Sequence, residues 1–561
     1  MEKPKNNSNK KMTLNTERSR LQISNSWIYY GTIIDRYSFQ IFGGVCHFSL
    51  NAFIDTICNP RNHNWSQESR EANFGLLTSA LYLGSASGSL FVGLLTGFNT
   101  RHLYTVLRVL TGLSIIPIVF GSLPWMVFGR FCLGFFFDAG MEVSIWSMHQ
   151  ILLPRHKDRV LTLYYFMASI TYFLWNFASI FDNGGKVYWR MCFLVHSGLL
   201  VATAIASLML FPYINSLSYL MKSEEGENSV IEIISNYYTR ETAAYLVKKH
   251  KEEFEDLLYG KEGNEVDNLG MGSISGPNIQ QGQQKYFPNL ATANIENGGV
   301  KNIGNSNRKR KRDNKAIESF MTFFKDLKIY SKESIHIVIF SIASMLCFHE
   351  TIYTYSIYYG AKELNRVEAV KETKKYLIAA GVTKMVSCFV VGFWALTRHR
   401  RLALLLSHFA TLFFLALIGV AFFIENLRLS RIVLAIFPIG TAGLYATNII
   451  YANDICPPSL FALNHFLVRG VPILFGAFLL PYYLKFEQLS YQEVAWRIFG
   501  LVAIGLVCFV WLLNYMVESS EISRVDVFRY FRGGKLATQK KFEEDDLFLE
   551  VLSRQSHAIE D

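Results

Sequence analysis

The stretch FFFDAGMEVSIWSMHQ, residues 135–150, places Asp138, Glu142 and His149 inside a run from Leu123 to Leu153 that is otherwise apolar enough to cross a bilayer. An ionisable side chain at the centre of a membrane helix costs about 2.5–3.5 kcal/mol, so three of them need a compensating environment or a task. At about 100° per residue the three fall within an arc of about 40°, spread over about 16 Å of helix. Arg130, eight residues before Asp138, lies near the same face. A carboxylate that can take or give up a proton, beside a guanidinium that can answer its charge, is the minimum equipment for proton coupling. The same residues also fit a structural ion pair between Asp138 and Arg130, a satisfied interior Glu142 and a helix-end His149. Glu350, beside His349, is the matching candidate in the second half of the chain.

The elements that must position these groups follow from composition. In 561 residues, 51% are hydrophobic and 18% charged, with 45 Phe, 29 Tyr and 9 Trp, which excludes an ordinary soluble globule. Apolar stretches of about 20 residues separated by short polar joints predict membrane helices at about 37–57, 73–97, 102–121, 124–152, 158–181 and 189–213. Six more are predicted at about 334–358, 373–396, 402–424, 431–453, 462–485 and 495–516. The expectation is an all-α membrane protein of twelve transmembrane helices in two six-helix halves, residues 37–213 and 333–516. The aromatic runs FFF (135–137) and LYYF (163–166) are expected mostly on lipid-facing and packing surfaces.

Residues 1–36, with Lys3, Lys5, Lys10, Lys11, Arg18 and Arg20 and no apolar core, read as a cytoplasmic N-terminal segment rather than a cleaved signal. Basic residues recur in PRHKDR (154–159), in the central loop and in TRHRR (397–401), which puts both termini in the cytoplasm. The outer loop KELNRVEAVKETKK (362–375) runs against that rule, and the first-half charges decide the orientation. The central loop, 214–332, divides into short amphipathic helices over 219–258 and a Gly-, Asn-, Gln- and Ser-rich stretch, 260–315, expected to be disordered. The tail, 517–561, is polar and cytoplasmic. The net charge of +10 is a cytoplasmic-face property, and RKRKR (308–312) suits anionic lipid better than nucleic acid. The eight cysteines show no metal-binding spacing, no cofactor motif is present, and Asn64 in NWS is a glycosylation candidate.

An internal repeat joins the halves. SMHQILLPRHKD (147–158) and YANDICPPSLFA (451–462) align with Gln150 opposite Asp454 and Pro154 opposite Pro458, at the same place in each half. Two related six-helix halves are the parallel-repeat design of secondary transporters, whose solute site lies at mid-membrane between the halves.

On these residues the chain resembles the major facilitator superfamily, in its sugar porter and organic-ion transporter branch. GRFCLG (129–134) followed by Gln150, Pro154, Arg155 and Arg159 is similar to that branch's fourth segment, and NDICPPSLFA (453–462) to its tenth, Asp454 standing for the acid. INSLSYL (214–220) and VESSE (517–521) are worn versions of its motifs behind segments six and twelve. The loop GLLTGFNTRH (93–102) keeps Gly93 and Arg101 but has Gly97 in place of the acid, and RHRR (398–401) keeps Arg400 and Arg401 but likewise lacks one.

The resemblance implies alternating access, with Arg101, Arg155, Arg159, Arg400 and Arg401 closing the cytoplasmic face with Gln150 and Asp454. The expected partners are a small polar solute, sugar-like or an organic ion, the lipid bilayer, and protons as a candidate driving ion. The expected location is the plasma membrane or an internal vesicular or vacuolar membrane. The missing loop acids keep a second reading open, a non-transporting receptor or scaffold of the same fold signalling through its loop. No nucleophile–base pair or phosphate-cradling loop points to an enzyme.

Overall fold

In the computed structural model the described residues are 23–52, 67–95, 100–152, 154–181, 186–210, 227–248, 339, 366–391, 400–454, 464, 466–474 and 489–516. They form helices Ser26–Ala52 (first segment), Gln67–Leu95 (second), Thr100–Leu113 continued by Ile115–Phe120 (third), Leu123–Ile151 (fourth), Pro154–Ala178 (fifth) and Lys186–Leu210 (sixth). The second half shows Arg366–Val390 (eighth), Arg400–Phe423 (ninth), Leu427–Ile436 continued by Pro438–Asp454 (tenth), the π turn Phe466–Gly470 of the eleventh, and Tyr491–Tyr515 (twelfth). Apart from Ile339, the predicted seventh segment lies outside the described residues, as do residues 260–315 and the tail. Six of the described helices are long and apolar enough to cross a membrane.

The breaks have local causes. Pro117 follows the interruption at Ser114, and Pro438 follows that at Phe437; a proline removes one backbone donor and crowds the preceding turn. The twelfth helix starts at a full capping box, Ser490 Oγ accepting from the Glu493 amide while the Glu493 carboxylate accepts from the Ser490 amide.

Packing repeats between the halves. The second helix lies on the fourth as the eighth lies on the tenth, and the third lies on the sixth as the ninth lies on the twelfth. The sixth and twelfth spans are equally peripheral, 28% buried each against 50–56% for the other four. Their outward side chains, such as Val195 and Leu199 or Val507 and Val510, are exposed as a lipid face requires. Exposed Trp27, Tyr30 and Tyr515 mark one level of the bundle and Trp125, Phe181 and Trp496 the opposite level, the two aromatic belts of a membrane protein.

The fourth helix is the best enclosed. From Phe137 to Met148 every residue is buried. Its contact with the second helix is a backbone-to-backbone approach: a Cβ on Gly84 would overlap the Phe131 carbonyl, one on Gly88 the Phe135 carbonyl, and one on Gly134 the Leu81 carbonyl. In lipid, where hydrophobicity does not drive helices together, such small-residue seams supply the van der Waals contact that does.

One sequence expectation changes. The first helix begins at Ser26 rather than near Tyr37, so Asp35 and Arg36 lie inside a helix and not in a polar leader. Tyr164 and Tyr165 of LYYF turn inward, both buried, the Tyr164 ring 6.3 Å from that of Tyr37. A phenol keeps a polar tip that the protein interior accommodates better than lipid does.

Within the central loop, helices Glu227–Ser235 and 240–248 sit on protein. Their apolar faces, with Val230, Ile234, Ala243 and Val247, are buried. Ile23 pairs with Tyr238 in an isolated antiparallel bridge, the Ser24 amide donates to the Tyr237 carbonyl (3.0 Å), and the Tyr29 ring packs on Tyr238. The Tyr29 hydroxyl is also 3.2 Å from His156 Nδ1, so Tyr29 joins the start of the first helix both to the loop and to the start of the fifth helix.

Candidate functional site

The charged interior of the first half is larger than its sequence suggested. Arg130, Asp138 and Glu142 are 1%, 0% and 1% exposed. Gly134, one turn from both Arg130 and Asp138 on the same face, meets the Leu81 carbonyl and the Ser85 amide of the second helix. Arg130, Asp138 and Glu142 are therefore wrapped in protein. Ser85 and Ser89, buried on the second helix, border that seam.

Beside it lies a centre that sequence reasoning missed. Arg108 of the third helix donates from Nη1 to Asp35 Oδ1 of the first (2.6 Å) and from Nη2 to Ser38 Oγ (2.6 Å). Nη1 also reaches the Tyr104 hydroxyl (3.2 Å). The Arg36 guanidinium stacks over the Tyr104 ring, 3.6 Å from its centroid. Asp35, Arg36 and Arg108 are all buried. Phe39 connects the two charge groups: its ring is 5.6 Å from Tyr104 and 5.5 Å from Phe137, the neighbour of Asp138. A lone arginine in an apolar run and an acid just ahead of one are the signals that would have found the pair.

Ion pairs in low dielectric exist only with close geometry, because desolvating each charge costs several kcal/mol. The Asp35–Arg108 pair meets that condition with two short bonds on one guanidinium. It ties the first helix to the third.

The other expected residues are spread more widely. Gln150 and Asp454 fall in the last turns of the fourth and tenth helices, the equivalent positions that the repeat implies. His149 and Arg155 lie in helix, and the side chains of these four, like Glu350 and Asn64 entirely, are outside the described residues. Arg101 is half-buried at the start of the third helix and Arg159 is exposed. Arg400 is buried, and Arg401 donates to the Leu513 carbonyl (2.7 Å), holding the end of the twelfth helix.

The halves meet along two seams. In one, the fifth helix runs antiparallel to the eighth: Phe166 meets Phe389, Ser169 Oγ lies 3.2 Å from Cys388 Sγ, Tyr172 faces Lys384, and Phe173 packs on Gly381. In the other, the second helix meets the π turn of the eleventh, Gly470 lying against Ala86. The second segment corresponds to the eighth and the fifth to the eleventh, so the repeat exchanges one seam for the other. Among the described residues no cluster of His, Cys, Asp or Glu could hold a metal ion.

Comparison with known proteins agrees with this architecture. The Major Facilitator Superfamily profile matches residues 48–477. No curated protein sequence matches significantly. Among solved structures, the proton:xylose symporter XylE bound to 6-bromo-6-deoxy-D-glucose is similar at TM-score 0.64 and 12% identity, over 90% of this chain and all of that one. The partially occluded inward-open xylose transporter XylE from E. coli follows at TM-score 0.59 and 12% identity, over 89% of this chain and all of that one. Its inward-open form scores 0.54 at 14% identity, over 89% and 98%. With the profile covering most of the chain and the fold shared along nearly its whole length, the protein is a multi-pass membrane protein belonging to the Major Facilitator Superfamily.

Proposed function

We propose that the chain is a secondary active transporter that carries a small polar organic solute between its halves by alternating access, driven by the proton gradient. The observation that carries this reading is the pair of seams exchanged by the repeat. Two equivalent seams flanking one path let the halves rock about a midline site, opening one face as the other closes. The similarity to the structures of a xylose–proton symporter supports both the solute class and the coupling ion. The buried first-half acids are the proton carriers, Asp138 first among them, since it lies deepest in the fourth segment and is fully enclosed. Arg101, Arg155, Arg159 and Arg400, with Gln150 and Asp454, close the cytoplasmic ends, while Arg401 steadies the twelfth helix beside them.

Uptake by proteoliposomes of sugars, organic cations and organic anions, with and without an inward proton gradient, tests the reading. Accumulation above the equilibrium level only with the gradient is expected, and absence of uptake for every class would overturn it. Asp138→Asn keeps size and hydrogen bonding, so it should fold and still exchange solute while losing gradient-driven accumulation. Loss of folding in Asp138→Asn, restored by combining Arg130→Leu with Asp138→Leu, would make the pair structural instead. Both termini are cytoplasmic in this reading, so a protease site inserted near Asn64 should be cut from outside intact cells.

A further inference from the structure

The eleventh segment leaves regular helix where the second helix meets it. Residues Phe466–Gly470 form a π turn, and 471–474 return to α-helix. The cause is local: Pro472 has no amide to give to the Val468 carbonyl and its ring crowds that carbonyl, so the turn ahead of it widens. The fifth helix, its counterpart in the first half, has no proline beyond its first residue and is regular from Pro154 to Ala178.

The widened turn makes contact on two sides. On one, Gly470 is the seat of the second helix: a Cβ there would lie 3.5 Å from Ala86 Cα and 2.7 Å from Phe466 Cδ2, so the neighbouring helix and the turn's own ring fill the space. Ala86 is buried, about 14 Å of helix rise from Leu95 and about 28 Å from Gln67, which is the cytoplasmic half of the second helix in the orientation above. On the other side the turn touches the tenth helix. Just ahead of it, fully buried Asn464 donates from Nδ2 to the Ala452 carbonyl (3.0 Å), in the last turn of the tenth helix, where carbonyls lack partners within the helix. Ala452 stands two residues before Asp454.

We propose that the π turn Phe466–Gly470 is the hinge of the cytoplasmic gate. This rests on the transporter reading above and supplies the moving part of its gate. A π turn holds one residue more than α-helix of the same length, so winding it into α-helix advances the chain by about 1.5 Å and turns the inner end of the segment by about 100°. With the second helix seated on Gly470 the turn is held wide and the seam is closed. When the second helix withdraws, the turn winds up, and Asn464 carries the motion to the end of the tenth helix and so to Asp454. Hinges are short stretches of this kind, which absorb a backbone change while the elements around them move as bodies.

The test follows Ala86→Cys in an otherwise cysteine-free full chain, with a water-soluble maleimide as the probe in phosphatidylcholine nanodiscs, where both faces are open. Pro472→Ala restores the missing amide and favours regular helix, so the Ala86→Cys thiol should be alkylated at least about tenfold faster. In vesicles, exchange of glucose, choline or glutarate, whichever the wild type carries, should slow by about the same factor in Pro472→Ala, since the gate then rests open. Pro472→Gly also restores the amide but is a poor helix former, so it should keep more of the exchange than Pro472→Ala does.

Alkylation at the unmodified rate in Pro472→Ala, or exchange as slow in Pro472→Gly as in Pro472→Ala, overturns the hinge while leaving transport intact. If the wild type exchanges none of the three solutes, alkylation decides alone: a faster rate in Pro472→Ala supports the hinge, and only the transporter reading fails. If Pro472→Ala does not yield folded protein, Gly470→Leu decides by the same labelling, because its side chain lifts the second helix from its seat; an unchanged rate there overturns the proposal.

Discussion

The fourth and tenth segments hold equivalent places in their halves and end at the matched residues Gln150 and Asp454, yet the fourth buries Arg130, Asp138 and Glu142 whereas the tenth carries no charged side chain from Ile432 to Asn453. The tenth uses short neutral groups that bond within their own helix, as Thr447 Oγ1 does to the Gly443 carbonyl (2.8 Å). In the first half the charges reach across helices, as Arg108 does to Asp35 and Ser38. The repeat therefore specifies packing, and charge is distributed independently of it. The first half is wired between helices by buried charge, whereas the described second half joins its helices mostly through neutral groups, as Ser387 Oγ does to the Ile439 carbonyl (2.5 Å).

That contrast ranks the effects of substitution. The largest follows from breaking the wired half: Asp35→Leu or Arg108→Leu alone leaves a buried charge and should cost about 3–5 kcal/mol, while the double replacement should cost much less. Thermal unfolding of the purified protein reads both; equal losses for the single and double variants would remove the pair from the account. Next comes a seam shared in kind by both halves. Gly134→Val drives two methyl groups toward the Leu81 carbonyl and the Ser85 amide and should cost about 1–3 kcal/mol or more, whereas Gly198→Ala, with no neighbour within 4 Å of its added carbon, should be neutral or slightly stabilising. A similar loss at both would mean that the second–fourth helix contact is no tighter than the lipid face. Smallest is Thr447→Val, which gives up a bond inside its own helix and should cost under about 1.5 kcal/mol by the same measurement. A cost as large as that of Asp35→Leu would erase the difference between the halves.

Hydropathy made the helices legible because each must satisfy its backbone internally and cover it with apolar side chains, so segment positions and the repeat could be read from one sequence. Charges resisted the same reading. Asp35 and Arg36 stand at the edge of an apolar run and were assigned to the leader, although the helix encloses them. Arg108 and Lys384 are single charges in long apolar runs, too few to disturb the hydropathy average. The fourth-segment stripe stood out only because three groups shared one face, and their fit against the second helix depends on glycine contacts that no periodicity announces. The gate residues were legible as positions at helix ends; their bonding was not, since it depends on which carbonyl lies opposite, as Leu513 does for Arg401.

The strand-like pairing of Ile23 with Tyr238, and the Ser24 Oγ bond to the Ser235 carbonyl 211 residues further on, join the two ends of the first half. During synthesis at about 5–20 residues per second, the start of the first helix waits roughly 10–40 s for its partner to leave the ribosome. By then all six segments of the first half have been made, and residues beyond 248 have only begun to follow. The contact is thus a completion signal in time: it can form only once all six segments of the first half have been made.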